Sequence, residues 1–232
     1  MHDKYSPLFT RVFYWYALSL FRRRFQCIWL DNTKYPPEGN SALFIGNHNS
    51  WWDALIPLLL NEKVFRMKGR AMMDEQQLKR YPFFRRLGTF SINREKPRKA
   101  MASLQHAARI LNEAPPGDGI GLWVYPEGKL VSPETPITLE NGLIWLARRM
   151  DLTQCDIIPF ATHMHTMRSD KPELFIKIGS PIGPSITHSG DMLMRTTRLL
   201  EDLRHLCREQ STRFDEDGNP KQRFKLLLGK KP

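Results

Sequence analysis

Leu43-Phe44-Ile45-Gly46-Asn47-His48-Asn49-Ser50-Trp51-Trp52-Asp53 joins two kinds of local structure. A short apolar run ends at a glycine, polar residues follow, and a helical run begins near Ser50. That order reads as a buried strand turning into a helix. His48 then sits at the strand-to-helix turn, and Asp53 falls in the first helical turn, where the chain can bring its carboxylate back towards the imidazole. A neutral histidine, with an unperturbed pKa of about 6.5, takes a proton from a hydroxyl near pH 7, and a carboxylate partner fixes its tautomer. Ser50-x-x-Asp53 is also close to a capping box, in which the acid serves backbone donors. On these residues alone the cap is the favoured reading, and the two uses are compatible.

Outward from this stretch, short apolar runs recur at Gly88 to Ile92, Ile120 to Tyr125, Asp156 to Ala161 and Leu174 to Ile178, each a strand by length and composition. Between them lie segments of helical spacing, Lys99 to Leu111 and Gly142 to Met150, and Asp191 to Cys207 reads as a closing amphipathic helix. Alternation of this kind predicts an α/β fold, a single domain with a largely parallel or mixed central sheet flanked by helices, whose ligands gather beyond strand ends. The turn-rich Tyr35-Pro36-Pro37-Glu38-Gly39-Asn40 marks where that domain starts. The expected organisation is an N-terminal membrane-associating segment over 1–34, the domain over 35–210, and a polar, basic tail over 211–232.

The N-terminal segment carries ten apolar or aromatic positions, Val12 to Phe21, followed by Arg22-Arg23-Arg24. A spanning helix needs about 20 apolar residues, and three arginines stand where a signal peptide would have its small-residue cleavage site. Aromatics beside basic residues suit instead a helix lying among lipid headgroups. A helix docked on the domain fits the same residues.

With 35 Lys plus Arg against 24 Asp plus Glu, the 232-residue chain carries a formal charge of +11 and attracts an anionic partner. No zinc spacing, RNP-like aromatic motif or Gly-rich phosphate loop accompanies that charge, so nucleic acid is not the expected partner and an anionic membrane surface is. Three cysteines without CxxC spacing argue against a disulfide framework and a zinc cage. His163-Met164-His165 places two imidazoles on one face of a strand without a third ligand at a recognisable spacing, and the expected metal complement is none.

Two downstream clusters add weight to His48. Gly88-Thr89-Phe90-Ser91-Ile92-Asn93-Arg94-Glu95 and Trp123-Val124-Tyr125-Pro126-Glu127-Gly128-Lys129 each put charge at a strand end. Arg94 offers a planar fork suited to phosphate, and Pro126-Glu127-Gly128 is turn chemistry that lets backbone approach a ligand.

Together and in this order the segments resemble the four motifs of the glycerolipid acyltransferase family, typified by lysophosphatidic acid acyltransferases. Asn47 to Asp53 matches the first motif, and Phe90 to Arg94 resembles the second. Val124 to Gly128 matches the third, and Ile157-Ile158-Pro159-Phe160 resembles the fourth. Gly179-Ser180-Pro181-Ile182 also looks like a family feature. The resemblance implies that His48 is the general base for an acceptor hydroxyl attacking an acyl thioester, with Asp53 orienting it. It implies that Arg94, Glu127 and Gly128 bind the acceptor, joined by Lys129 as a replacement charge, and that Pro159 shapes the acyl or acceptor pocket. No cofactor is implied; acyl-CoA or an acyl carrier protein is a co-substrate, the acceptor is a membrane lipid such as a lysophospholipid, and the place of work is the cytoplasmic face of a membrane.

The departures from the family cluster where the acceptor binds. Lys129-Leu130-Val131 stands where Thr-Arg-Ser is usual, Leu139-Glu140-Asn141-Gly142 stands where Phe-Lys-x-Gly is common, and Asn93 replaces a frequent aspartate. A different, sugar-bearing lipid acceptor is therefore the alternative within the same chemistry. A non-catalytic lipid- or nucleic-acid-binding protein, with His48 and Asp53 serving only the cap, is the alternative outside it.

Overall fold

The structure, a computed structural model, describes residues 4–32, 40–115, 117–188, 190–221 and 223–231. Most of the loop expected at Tyr35 to Asn40, and with it the expected boundary between residues 34 and 35, lies outside the described residues.

Strand β2 (Ser41–Gly46) is buried along its whole length, as its unbroken apolar run requires. It is joined by β1 (Cys27–Asn32), β3 (Lys68–Asp74), β4 (Thr89–Ile92), β5 (Ile120–Val124), β6 (Cys155–His165), β7 (Glu173–Ile178) and β8 (Lys225–Gly229). They form one eight-stranded sheet in the order β4-β3-β5-β2-β6-β7-β1-β8. The block β4-β3-β5-β2-β6 is parallel throughout. The β6–β7 and β1–β8 pairs are antiparallel, while β1 and β7 run parallel, so the sheet is mixed.

Alternate residues of β2 feed two cores. Ala42 and Phe44 join the core formed with α1 (Pro7–Arg24) and α2 (Ile56–Leu60). Leu43 and Ile45 join the one formed with α3 (Pro97–Asn112) and α4 (Gly142–Ala147). Helix α3 starts on a proline at its first turn and buries Leu104, Ala107, Ala108 and Leu111, the face its 3.6 periodicity marks. Helix α5 (Met192–Gln210) buries Leu203 and Cys207 with Trp29 and Phe175 in a third cluster.

Three strands went unread in the sequence. β3 (Lys-Gly-Arg-Ala-Met-Met-Asp) has no β-branched residue and carries two cations, yet pairs on both sides. β1 and β8 lie within the segments expected to flank the domain, and each is a member of its sheet. The N-terminal helix docks, with Ala17, Leu18 and Phe21 buried and Phe21 packed on Trp52 at 5.3 Å between ring centroids. Its opposite side leaves Leu8, Val12, Trp15 and Tyr16 exposed, an apolar stripe at helical spacing. Among the described residues no helix is long and apolar enough to cross a membrane.

Candidate active site

Because β2, β3, β4 and β5 are parallel neighbours, their carboxyl ends open on one edge of the sheet, where ligands of such sheets bind. This register brings together motifs that are far apart in the chain: His48 follows β2, Arg94 follows β4, and Tyr125 to Gly128 follow β5.

Ser50 caps a 3-10 turn, Trp51–Ala54, with its hydroxyl accepting from the Trp52 amide at 3.1 Å, and the reciprocal acid of the capping box is Asp53. Oδ2 of Asp53 accepts from the amides of Asn49 and Ser50 at 2.9 Å each and faces Nδ1 of His48 at 2.9 Å. One oxygen therefore serves both the cap and the imidazole. Since a carboxylate only accepts, Nδ1 carries the proton and Nε2 is left as the basic nitrogen. The side chain of Asp53 is 1% exposed and that of His48 23%, so the imidazole is open to the cavity while its partner is shielded.

The ring of Tyr125 stacks on His48 at 4.5 Å between centroids, and its hydroxyl donates to the Asp53 carbonyl at 2.6 Å. Beneath them, buried Asn47 clamps β6: its oxygen accepts from the Thr162 amide at 2.8 Å and its nitrogen donates to the Thr162 carbonyl at 3.0 Å. The His48 amide donates to Oε2 of Glu127 at 2.6 Å, and the His48 carbonyl accepts from the Val131 amide at 3.0 Å. Burial pushes the Glu127 carboxyl above the ordinary carboxylate range.

A cavity of about 470 Å³ opens beside the imidazole. His48, Asp53, Arg94, Gly128 and Lys129 line it, with a long apolar wall that includes Met72, Met73, Phe84 and Leu146. Gly128 has φ of +70°, and a Cβ there would stand 2.3 Å from Nη1 of Arg94, so the third motif's glycine makes the seat on which the second motif's arginine rests. Arg94 also meets Glu140 at 3.4 Å.

Two residues expected at the ligand lie elsewhere. Glu127, 4% exposed, is turned to the His48 backbone, whose amide donates to it, and does not line the cavity. Pro159 is buried in β6 opposite Ile45, its carbonyl accepting from Gly179 at 2.8 Å, and it too is absent from the cavity wall. Proline at that point of β6 shapes the strand rather than the pocket. Asn47 and Tyr125 stand inside the quoted motifs, but nothing local in the sequence indicates a clamp to residue 162 or a ring stacked on His48.

His163 and His165 share a face, with ring centroids 5.9 Å apart. Burial pushes His163 down to about 4. Among the described residues no three His, Cys, Asp or Glu side chains stand together as a metal cluster. Cys27, Cys155 and Cys207 are buried, and burial raises all three thiols.

Comparison with known proteins adds two findings. The sequence model of the Acyltransferase family matches residues 27–163, more than half the chain and beginning at β1. The fold is similar to that of the 1-acyl-sn-glycerophosphate (LPA) acyltransferase PlsC from Thermotoga maritima, with a TM-score of 0.59 and 16% identity over 88% of this chain and 81% of that one. No curated protein sequence matches the chain.

Proposed function

Because the chain belongs to the acyltransferase family, we propose that it moves a fatty acyl group from an acyl thioester, acyl-CoA or acyl carrier protein, to a hydroxyl of a lysophospholipid-like acceptor at a membrane surface. The observation that carries this reading is the His48 Nδ1–Asp53 Oδ2 contact of 2.9 Å at the edge of an apolar cavity. Nε2 takes the acceptor's hydroxyl proton as its oxygen attacks the thioester carbonyl. The C–O bond forms, the C–S bond breaks, and the proton passes from the imidazolium to the departing thiolate. The Asp53 carboxylate stabilises the imidazolium between those transfers. No acyl-enzyme is required, and alignment of the two bound substrates supplies much of the rate.

The apolar wall suits an acyl chain, and the reading of the acceptor as glycerophosphate-like rests on the motif resemblance and the similar fold of PlsC. The exposed stripe Leu8, Val12, Trp15 and Tyr16, ahead of Arg22-Arg23-Arg24, supports peripheral attachment to an anionic, cytoplasmic leaflet. His48→Ala tests the whole: with a labelled acyl donor and total membrane lipids, the acylated product seen by mass spectrometry falls about 10²–10⁴-fold while the circular dichroism spectrum and vesicle binding persist. Full activity in that variant refutes the proposal.

A further inference from the structure

The lining of the cavity does not have the charge of a phosphate site. Its charged side chains are Arg94 and Lys129 against Asp53, Asp74 and Glu140. Asp53 is committed behind His48, which leaves two cations balanced by two carboxylates at the mouth. The guanidinium of Arg94, the fork best shaped for phosphate, already faces Glu140 at 3.4 Å. A phosphate monoester placed on Arg94 would have to sit beside that acid, and like charges at such separation repel.

A second, polar recess adjoins the first and shares Asp74 and Arg94 with it; its other walls are Glu75, Gln76, Asn93 and Glu95. Carboxylates and amides predominate there. Lys79 and Lys99 are drawn to Glu75 at 3.4 and 3.5 Å, and neither lines the recess or the cavity. The formal charge of +11 is thus not focused at the mouth of the site.

We infer that the acceptor presents an uncharged, hydroxyl-rich headgroup, a glyceride or a glycolipid, and that Glu140 is the residue that sets this preference. The inference rests on the acyl-transfer chemistry proposed above and departs from its lysophospholipid-like acceptor, which rests on the motif resemblance and the similar fold of PlsC alone. A polyol satisfies both signs at the mouth, accepting from Arg94 and donating to Glu140 and Asp74, without opposing either. One of its hydroxyls is then the group that His48 deprotonates. Glu140 is 59% exposed at its side chain, and its amide donates to the Pro126 carbonyl at 2.8 Å, a bond that any side chain leaves intact. Variants at 140 therefore keep the loop.

The test uses the purified full chain in uncharged detergent micelles, with acyl-CoA and acyl carrier protein thioesters offered in turn as donor. Three acceptors of equal acyl length are offered: a monoacylglycerol, an acylated glucoside and lysophosphatidic acid. Two readouts are taken, kcat/KM for transfer and the binding of each acceptor to the His48→Ala variant. The expected result is at least a tenfold preference for one uncharged acceptor over lysophosphatidic acid in both readouts, and the better of the two identifies a glyceride or a sugar. Glu140→Lys should shrink or invert that ratio by tenfold or more. Equal or better use of lysophosphatidic acid by the native chain overturns the inference, and so does a ratio that Glu140→Lys leaves unmoved. Preferential binding of an uncharged acceptor without transfer to any of them sustains this inference and refutes the acyl-transfer reading; absence of both refutes both.

Discussion

The loop from Asn47 to Asp53 and the rim formed by Arg94, Lys129 and Glu140 border the same cavity, and they are held in opposite ways. In the loop, a single Asp53 oxygen serves two amides and an imidazole, Asn47 is tied to both backbone groups of Thr162, and the His48 amide and carbonyl are each bonded to the third-motif segment. On the rim, Arg94 and Glu140 are 40% and 59% exposed and meet at 3.4 Å, a surface pair of the kind that contributes about 0–1 kcal/mol. His48 is held by buried bonds that leave little freedom. The rim consists of solvated side chains that substitution changes at low cost to stability. On the proposed function, chemistry and specificity then occupy parts of the site with different tolerance to change.

Breaking the loop side should cost most. Asp53→Asn presents one acceptor and one donor where three donors converge, and an amide against Nδ1 forces the wrong tautomer. Steady-state acyl transfer should fall by about 10³–10⁴-fold, and a loss smaller than tenfold would mean that the contact is only a cap.

Asn47→Ala leaves the buried amide and carbonyl of Thr162 without their partner. Denaturant unfolding should report a loss of about 1–3 kcal/mol, whereas a rim variant such as Lys129→Ala should stay within about 0.5 kcal/mol of the native chain. Equal losses at both would erase the distinction between the two regions.

Tyr125→Phe is a finer probe. The ring still stacks on His48, while the hydroxyl bond to the Asp53 carbonyl is lost, so stability should drop by about 0.5–1.5 kcal/mol and turnover by a few-fold, read in kcat with KM unchanged.

A separate probe, read in acid alone, concerns the strand that anchors Asn47. His163, next to Thr162, is pushed by burial from 6.5 down to about 4, with the His165, Arg208 and Arg204 charges adding to the effect and Glu134 opposing it. The unfolded chain binds this proton more readily. His163 therefore contributes stability that is complete above pH 6.5 and lost as pH falls through about 4. Melting curves across that range should fall less steeply for His163→Phe than for the native chain, and parallel curves would exclude the group.

How much of this was legible depended on distance along the chain. The strand-to-turn reading at Ile45 to Asp53 needs only neighbouring residues, because apolar run length, the serine cap and the His-to-Asp spacing are all local. Those elements appear as read, including the cap. β3 was illegible because Lys68, Gly69 and Arg70 show neither alternation nor β-branching; pairing on both sides makes it a strand in spite of its propensity. β8 looked like a basic tail because a short edge strand with exposed lysine has no signature until it finds β1.

Local periodicity and side-chain chemistry carried the α/β class, the serine cap with its acid, and the order of the motifs. Which motif residues line the cavity was settled only by the folded chain. Parallel pairing of β4, β3, β5 and β2 aligned their carboxyl ends, turned Glu127 to the His48 backbone, buried Pro159 in a strand, and set Glu140 against Arg94. A motif specifies which groups are present, while burial and strand register, which depend on residues as far as 115 positions away, fix the direction in which each group points.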